Sequence, residues 1–191
     1  MVGLFFGSFN PIHIGHTALA KHLLENTVLD EVWLVVSPHN PLKEEADLLS
    51  DELRLQMVKL AIADKSNFRV CDIEFSLPTP SYTIQTLEKL QEIYPEKTFA
   101  LLIGADNLAV FNQWKDYQLL LSNFQILVYP REGIDVKILQ VIYPQVKLVE
   151  AALYPISSTE IRRIIREGKD AGKWLHPAVE KFIKEKGLYK S

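Results

Sequence analysis

With 191 residues, 48% of them hydrophobic, the chain has material for one well-buried domain and is short for two. A net charge of −3 with both signs interspersed offers no basic field to a nucleic-acid backbone, and no apolar run reaches the ~20 residues that span a bilayer. The single cysteine, Cys71, excludes an intramolecular disulfide; the first residues lack the pattern of a signal peptide, so a cytoplasmic protein is expected.

Residues 2–6 form a short apolar run, which predicts a fully buried strand of a parallel sheet. Gly7 and Ser8 break the run, Asn10-Pro11 turns the chain, and Leu19, Leu23 and Leu24 mark a helix over about 15–26. Residues 31–37 predict a second strand, ended by Pro38. The charged, proline-containing segment 38–47 reads as a surface loop of the kind that often carries function. Ser50 or Asp51 is expected to cap a helix with Leu53, Met57, Leu60 and Ala61 on one face. A third strand is expected over 68–73, and Leu77-Pro78-Thr79-Pro80 forbids regular structure. Ser81 is expected to cap the next helix, which carries Ile84, Leu87 and Leu90.

A fourth strand over 98–103 stops at Gly104, and a short helix follows. Then come Trp114-Lys115-Asp116-Tyr117 and a helix with Leu119, Leu120 and Leu121. Residues 124–129 predict a fifth strand, 136–142 a helical stretch and 146–149 a sixth strand. From Ser158 the chain reads as helical to its end, with Gly168 and Gly172 separating segments. Strands alternating with helices imply right-handed crossovers and a parallel sheet covered on both faces. The expected fold class is α/β, a Rossmann-like doubly wound sheet with a small helical part from about 156, all in a single domain over 1–191. Ligands of such sheets bind outside the carboxyl ends of the strands, where strand order reverses. Segments 7–16, 38–43, 104–106 and 130–131 all follow strands and are expected at that edge.

A strand, a glycine turn and a helix start make an anion site, because first-turn N–H groups point outward unpaired and glycine lets a phosphate come close. His13 and His16, flanking Gly15, add donors at its lip, with His16 expected to stand exposed. Two other readings are open. A His-x-x-His pair is also a zinc fragment, though no third ligand has suitable spacing, and a structural loop needs only hydrogen-bonded histidines.

The run Gly7-Ser8-Phe9-Asn10-Pro11-Ile12-His13-Ile14-Gly15-His16 resembles the HxGH motif of the nucleotidyltransferase superfamily. Ile156-Ser157-Ser158-Thr159-Glu160-Ile161-Arg162 resembles that superfamily's second motif. Between them, Ser81-Tyr82-Thr83, Gly104-Ala105-Asp106 and Trp114 are similar to the bacterial nicotinate mononucleotide adenylyltransferases. The resemblance covers essentially the whole chain. Phe6 departs from it, standing where glycine is usual, and so does Leu42, standing where a histidine precedes the lysine.

The resemblance implies adenylate transfer from ATP to nicotinate mononucleotide, giving nicotinate adenine dinucleotide and pyrophosphate. The nucleophile is already a phosphate anion, so no activating base is needed. By the same resemblance His13, His16 and Arg162 are catalytic. Gly7, Ser8, Phe9, His13, Gly15, His16, Gly104, Asp106, Ile156, Ser158, Thr159 and Arg162 would bind ATP. Ser8, Phe9, Lys43, Tyr82, Thr83, Trp114 and Arg131 would bind the mononucleotide. Mg2+ would be held mainly by substrate phosphates, with no protein metal site. ATP and nicotinate mononucleotide are the expected partners, without nucleic acid or membrane, and a homo-oligomer is left open. The rival readings are an adenylyltransferase of the same fold for nicotinamide mononucleotide or phosphopantetheine, and a non-catalytic ATP-binding sensor.

Overall fold

The computed structural model describes residues 1–38 and 48–190. Six strands, β1 (Val2–Gly7), β2 (Glu31–Val36), β3 (Phe68–Cys71), β4 (Phe99–Gly104), β5 (Gln125–Tyr129) and β6 (Lys147–Leu148), pair in parallel in the order β3-β2-β1-β4-β5-β6. The helices are α1 (Ile14–Asn26), α2 (Asp51–Ile62), α3 (Thr83–Ile93), α4 (Ala105–Ala109), α5 (Tyr117–Asn123), α6 (Val136–Ile142), α7 (Ser158–Arg166) and α8 (Pro177–Lys186).

The strands read as continuous apolar runs because both sheet faces are covered. Alternate residues enter two different cores. Val32, Leu34 and Val36 of β2 join Phe5, Ala100 and Leu102 under α1, α2, α7 and α8. Trp33 and Val35 join Leu4, Leu101 and Ile103 under α3, α4, α5 and α6. The C-terminal helices are no appendage: Ile161, Val179 and Ile183 lie in one cluster with Met57 and Val58 of α2.

The sequence places most of these elements and misses in identifiable ways. Strand β3 stops at Cys71, and Ile73–Ser76 turns as a 3-10 helix instead. There Glu74, 3% exposed, accepts a 2.7 Å hydrogen bond from Thr86 Oγ1, which draws a carboxylate inward. Ser81 does not cap α3; Tyr82 stands at that position with extended backbone and no side-chain cap bond, and Ser81 is buried one residue earlier. Ser50 does cap α2, accepting from the Leu53 N–H at 3.5 Å. Gly168 (φ +67) and Gly187 (φ +61) end α7 and α8, and the following N–H groups close back onto Ile164 and Ile183 at 3.0 Å each. Only a left-handed residue permits that closure, which favours glycine at both places. Cys71 is a packing residue, its thiol pushed up to about 11 by burial.

Ile161 fastens α7 to the core and is fully buried. Ile161→Ala is expected to cost about 2–5 kcal/mol of stability through the lost methylenes and the cavity left behind. Urea unfolding of the two proteins measures it.

Candidate active site

The strand order reverses between β1 and β4, so their carboxyl ends open a crevice. The β1–β4 register ends at Phe5 with Leu102, and the last two residues of each strand, up to Gly7 and Gly104, run on beyond that pairing at the crevice. Beyond Gly7 the chain turns through Phe9, whose φ of +48 lies in the left-handed region that a bulky residue adopts only when held there. The Phe9 ring, 1% exposed, folds back so closely that a Cβ on Gly7 would stand 2.9 Å from it. It also meets Phe5 and His16 edge-on, with ring centroids 6.1 and 5.2 Å away. With its side chain buried, Phe9 has only backbone to offer a ligand.

What holds this turn from below was absent from the sequence reading. Arg54 of α2 is 0% exposed. Its Nε donates to the Leu49 carbonyl at 3.0 Å and its Nη1 to the carbonyls of Ser8 (2.6 Å) and Ser37 (2.7 Å). Its Nη2 donates to the Pro38 carbonyl at 3.1 Å and to the Asp51 carboxylate. All five guanidinium N–H groups are used, as a buried charge requires. The Gly7 carbonyl meanwhile accepts from the Ser37 N–H at 3.0 Å, so the ends of β1 and β2 and the start of α2 are tied at one point. The signal was present: Arg54 shares the i, i+3, i+4, i+7 stripe of Met57, Val58 and Ala61, which is the buried face of α2. The face expected through Leu53 and Leu60 is rotated by one position, and both of those leucines are half-buried.

His13 stands at the N-cap of α1. Its backbone N–H donates to His16 Nδ1 at 3.3 Å, and the two rings stack with centroids 3.7 Å apart. His16 is therefore half-buried and engaged, not the exposed residue expected. With Nδ1 accepting, the neutral ring carries its proton on Nε2, which makes that nitrogen a donor. Burial, and secondarily the charge of Arg131, push the pKa of His13 down to about 4, so this ring is neutral at pH 7. Its Nδ1 is buried with no partner among the described residues. Gly15 is pinched between the His13 ring, 3.0 Å from where a Cβ would stand, and Tyr154, 3.2 Å away. No group of three or more His, Cys, Asp or Glu that could hold a metal occurs among the described residues.

The second motif meets the first. Ser158 Oγ, at the start of α7, donates to the Pro11 carbonyl at 2.9 Å, and Arg162 Nη1 donates to the Asn10 carbonyl at 2.8 Å. Tyr189, near the other end of the chain, donates to Asn10 Oδ1 at 2.8 Å. Arg162 Nη2 reaches Thr159 Oγ1 at 3.4 Å, while its Nε is buried with no partner among the described residues. The Ser158 hydroxyl proton is thus spent on the turn. The Ser158 and Thr159 N–H groups make no hydrogen bond among the described residues. The Ile156 N–H is taken by the Tyr154 carbonyl at 2.8 Å, and its side chain packs on the core.

At the end of β4, Asp106 and Arg131 form a 3.5 Å ion pair across Gly104, where a Cβ would stand 2.2 Å from Asp106 Oδ1. Arg131 also lies over the Tyr129 ring, 5.1 Å from its centroid. Trp114 packs on Phe111 at 5.0 Å, and its Nε1 is buried with no partner among the described residues. Its neighbour Lys115 sits 4.5 Å over the Tyr82 ring, which joins the Trp114 segment to the half-buried Tyr82 and Thr83 at the start of α3. Lys43 lies outside the described residues.

The depressed pKa of His13 has a consequence for stability. Below the ordinary histidine value of 6.5 the unfolded chain takes up a proton that the folded one refuses until about pH 4, so stability falls as pH drops through that window. At about pH 5 the loss from this group is about 2 kcal/mol, and His13→Gln is expected to remove that share of the acid sensitivity. Urea unfolding of both proteins near neutral pH and near pH 5 checks it.

The cytidylyltransferase-like family model matches residues 4–164, a span that contains both motifs. A Bacteroides fragilis protein named "probable nicotinate-nucleotide adenylyltransferase" is 54% identical over 95% of this chain and 90% of its own length. A Flavobacterium johnsoniae protein of the same name is 45% identical over 99% of this chain and 98% of its own. Among solved structures, the Plasmodium falciparum nicotinic acid mononucleotide adenylyltransferase complexed with NaAD superposes at a TM-score of 0.79 over 98% of this chain and 96% of that one. At 21% identity that match speaks to the fold. Family model, relatives and fold agree: the chain belongs to the cytidylyltransferase-like family, among its nicotinate-nucleotide adenylyltransferases.

Proposed function

We propose that the residues gathered at the β1–β4 crevice form one active site, in which adenylate passes from ATP to nicotinate mononucleotide with release of pyrophosphate. One observation carries the assignment. The buried side-chain nitrogens left without partners among the described residues are His13 Nδ1, Arg162 Nε and Trp114 Nε1, one in each of three separate sequence signatures. Leaving a buried polar group unpaired costs about 1–3 kcal/mol, which a polar ligand would offset.

In the reaction a phosphate oxygen of the mononucleotide attacks the α-phosphorus of ATP, and the bond to the bridging oxygen of the β-phosphoryl breaks. Pyrophosphate leaves with that electron pair. No proton has to move, which suits a site whose His13 is neutral and whose contacts supply donors rather than a base. His16 Nε2–H and the first-turn N–H groups of α1 would meet charge growing on the α-phosphoryl oxygens. The Ser158 and Thr159 N–H groups and Arg162 would hold the departing pyrophosphate. Mg2+ would enter on the substrate phosphates and neutralise part of their charge, and the Asp106 carboxylate would accept from ribose hydroxyls. Tyr82, Thr83 and Trp114 would form the pyridine side, and Lys43 and Arg131 would face the mononucleotide phosphate. Once that phosphate binds, the Arg131–Asp106 pair would have to share its arginine. The whole chain would serve as one domain, and among the described residues no helix is long and apolar enough to cross a membrane. We place the reaction in the cytoplasm.

Two measurements test this reading. His16→Ala is expected to lower kcat by about 10²–10³-fold, the usual loss of a donor aimed at transition-state charge. Because His16 also accepts the His13 N–H, stability should fall as well, by about 1 kcal/mol. A variant that keeps full kcat in its folded fraction would make this histidine structural. Separately, kcat/KM at saturating ATP and magnesium should favour nicotinate over nicotinamide mononucleotide by about 10–100-fold, because an amide N–H₂ facing donors is left unpaired. Parity, or turnover of phosphopantetheine instead, would overturn the acceptor assignment.

A further inference from the structure

Arg54 lies beneath the site, and its geometry sets more than stability. The Ser8–Phe9 peptide is not among the cis bonds, so its C=O and N–H leave opposite edges of one plane. With the Ser8 carbonyl held on Arg54 Nη1 at 2.6 Å, the Phe9 N–H must point away from α2. That N–H makes no hydrogen bond among the described residues. Phe9 is held in its left-handed conformation from three sides: by its own buried ring, by the Ser37 N–H on the Gly7 carbonyl, and by Arg54 on the Ser8 carbonyl. A bulky residue at φ +48, its N–H unpaired among the described residues, is a peptide held in an orientation it would not adopt unaided.

We propose that Arg54 is a positioning residue for adenylyl transfer, holding the Ser8–Phe9 peptide so that the Phe9 N–H is a backbone donor to a phosphoryl oxygen where the two substrates meet. The inference rests on reading the Gly7–His16 turn as the phosphate site. Lysine cannot replace the clamp, because an ammonium offers three donors from one point, whereas here five planar N–H groups reach five acceptors at once. A merely charge-bearing role would survive Arg54→Lys; an orienting role would not.

The test compares Arg54→Lys with the parent chain, uniformly ¹⁵N-labelled, titrated with magnesium ATP in the absence of the mononucleotide. In the parent the Phe9 and Thr159 amide resonances are both expected to shift. In Arg54→Lys the Thr159 amide should still respond while the Phe9 amide does not. Per folded molecule, kcat should fall at least about tenfold, with KM for ATP changed less than about threefold. An equal Phe9 response in both proteins, or a kcat within about twofold of the parent, overturns the proposal and leaves Arg54 a packing residue. Should Arg54→Lys fail to fold, Asp51→Asn loosens one of the five bonds and is expected to give smaller changes of the same sign; no change in either readout there overturns it equally. A parent Phe9 amide that answers magnesium ATP, in a protein that forms no dinucleotide, would uphold the donor while refuting the reaction.

Discussion

A charged guanidinium without solvent contact is the constraint on which this site depends. Burying it is tolerable only if every N–H finds an oxygen, and the oxygens that serve Arg54 belong to the ends of β1 and β2 and to the start of α2. Those are the places where a doubly wound sheet presents loops to a ligand. The requirement that satisfies one side chain therefore fixes several loop backbones together. Loops set by a single buried charge have little freedom to relax independently, which is what in-line transfer between two anions demands.

The same economy governs the upper side of the turn. Asn10 and Pro11 give their carbonyls to Arg162 and Ser158, and Tyr189 binds the Asn10 side chain. One turn near the N-terminus is thus gripped from α2 below and from the C-terminal region above. The grip explains why the C-terminal helices share a core with α2. Ser158 and Arg162 are usable only while α7 keeps its position, and Ile161 between them is what buries that helix.

The histidine pair shows how environment assigns roles to identical side chains. His13 is buried and kept neutral, while His16 accepts the His13 N–H on one ring nitrogen and so carries its proton on the other. Neither arrangement suits a general base at neutral pH. Both suit a reaction whose nucleophile is already ionised, where donors and fixed dipoles are the means of stabilising charge.

The sequence by itself determined the alternation of strands and helices, the parallel sheet and the two end motifs. Apolar runs, glycine breaks and cap residues are local properties of the chain, and loops that follow parallel strands gather at one sheet edge by a general rule. It misplaced what depends on partners far away. Nothing local to residues 72–76 says that Glu74 will turn inward to Thr86, or that Tyr82 rather than Ser81 will begin α3. Arg54 is the clearest case. Its place on the buried stripe of α2 was legible, but an arginine there reads as an outward charge until the carbonyls of Ser8, Ser37, Pro38 and Leu49 are seen to converge on it. The pairing of Arg131 with Asp106, the stacking of the two histidines and the meeting of Ser158 with Pro11 were likewise decided only in three dimensions. Residue type and spacing declare which chemistry is present. Which atoms remain unpaired to perform it depends on which hydrogen bonds the folded chain has already used, and those join residues far apart in the chain.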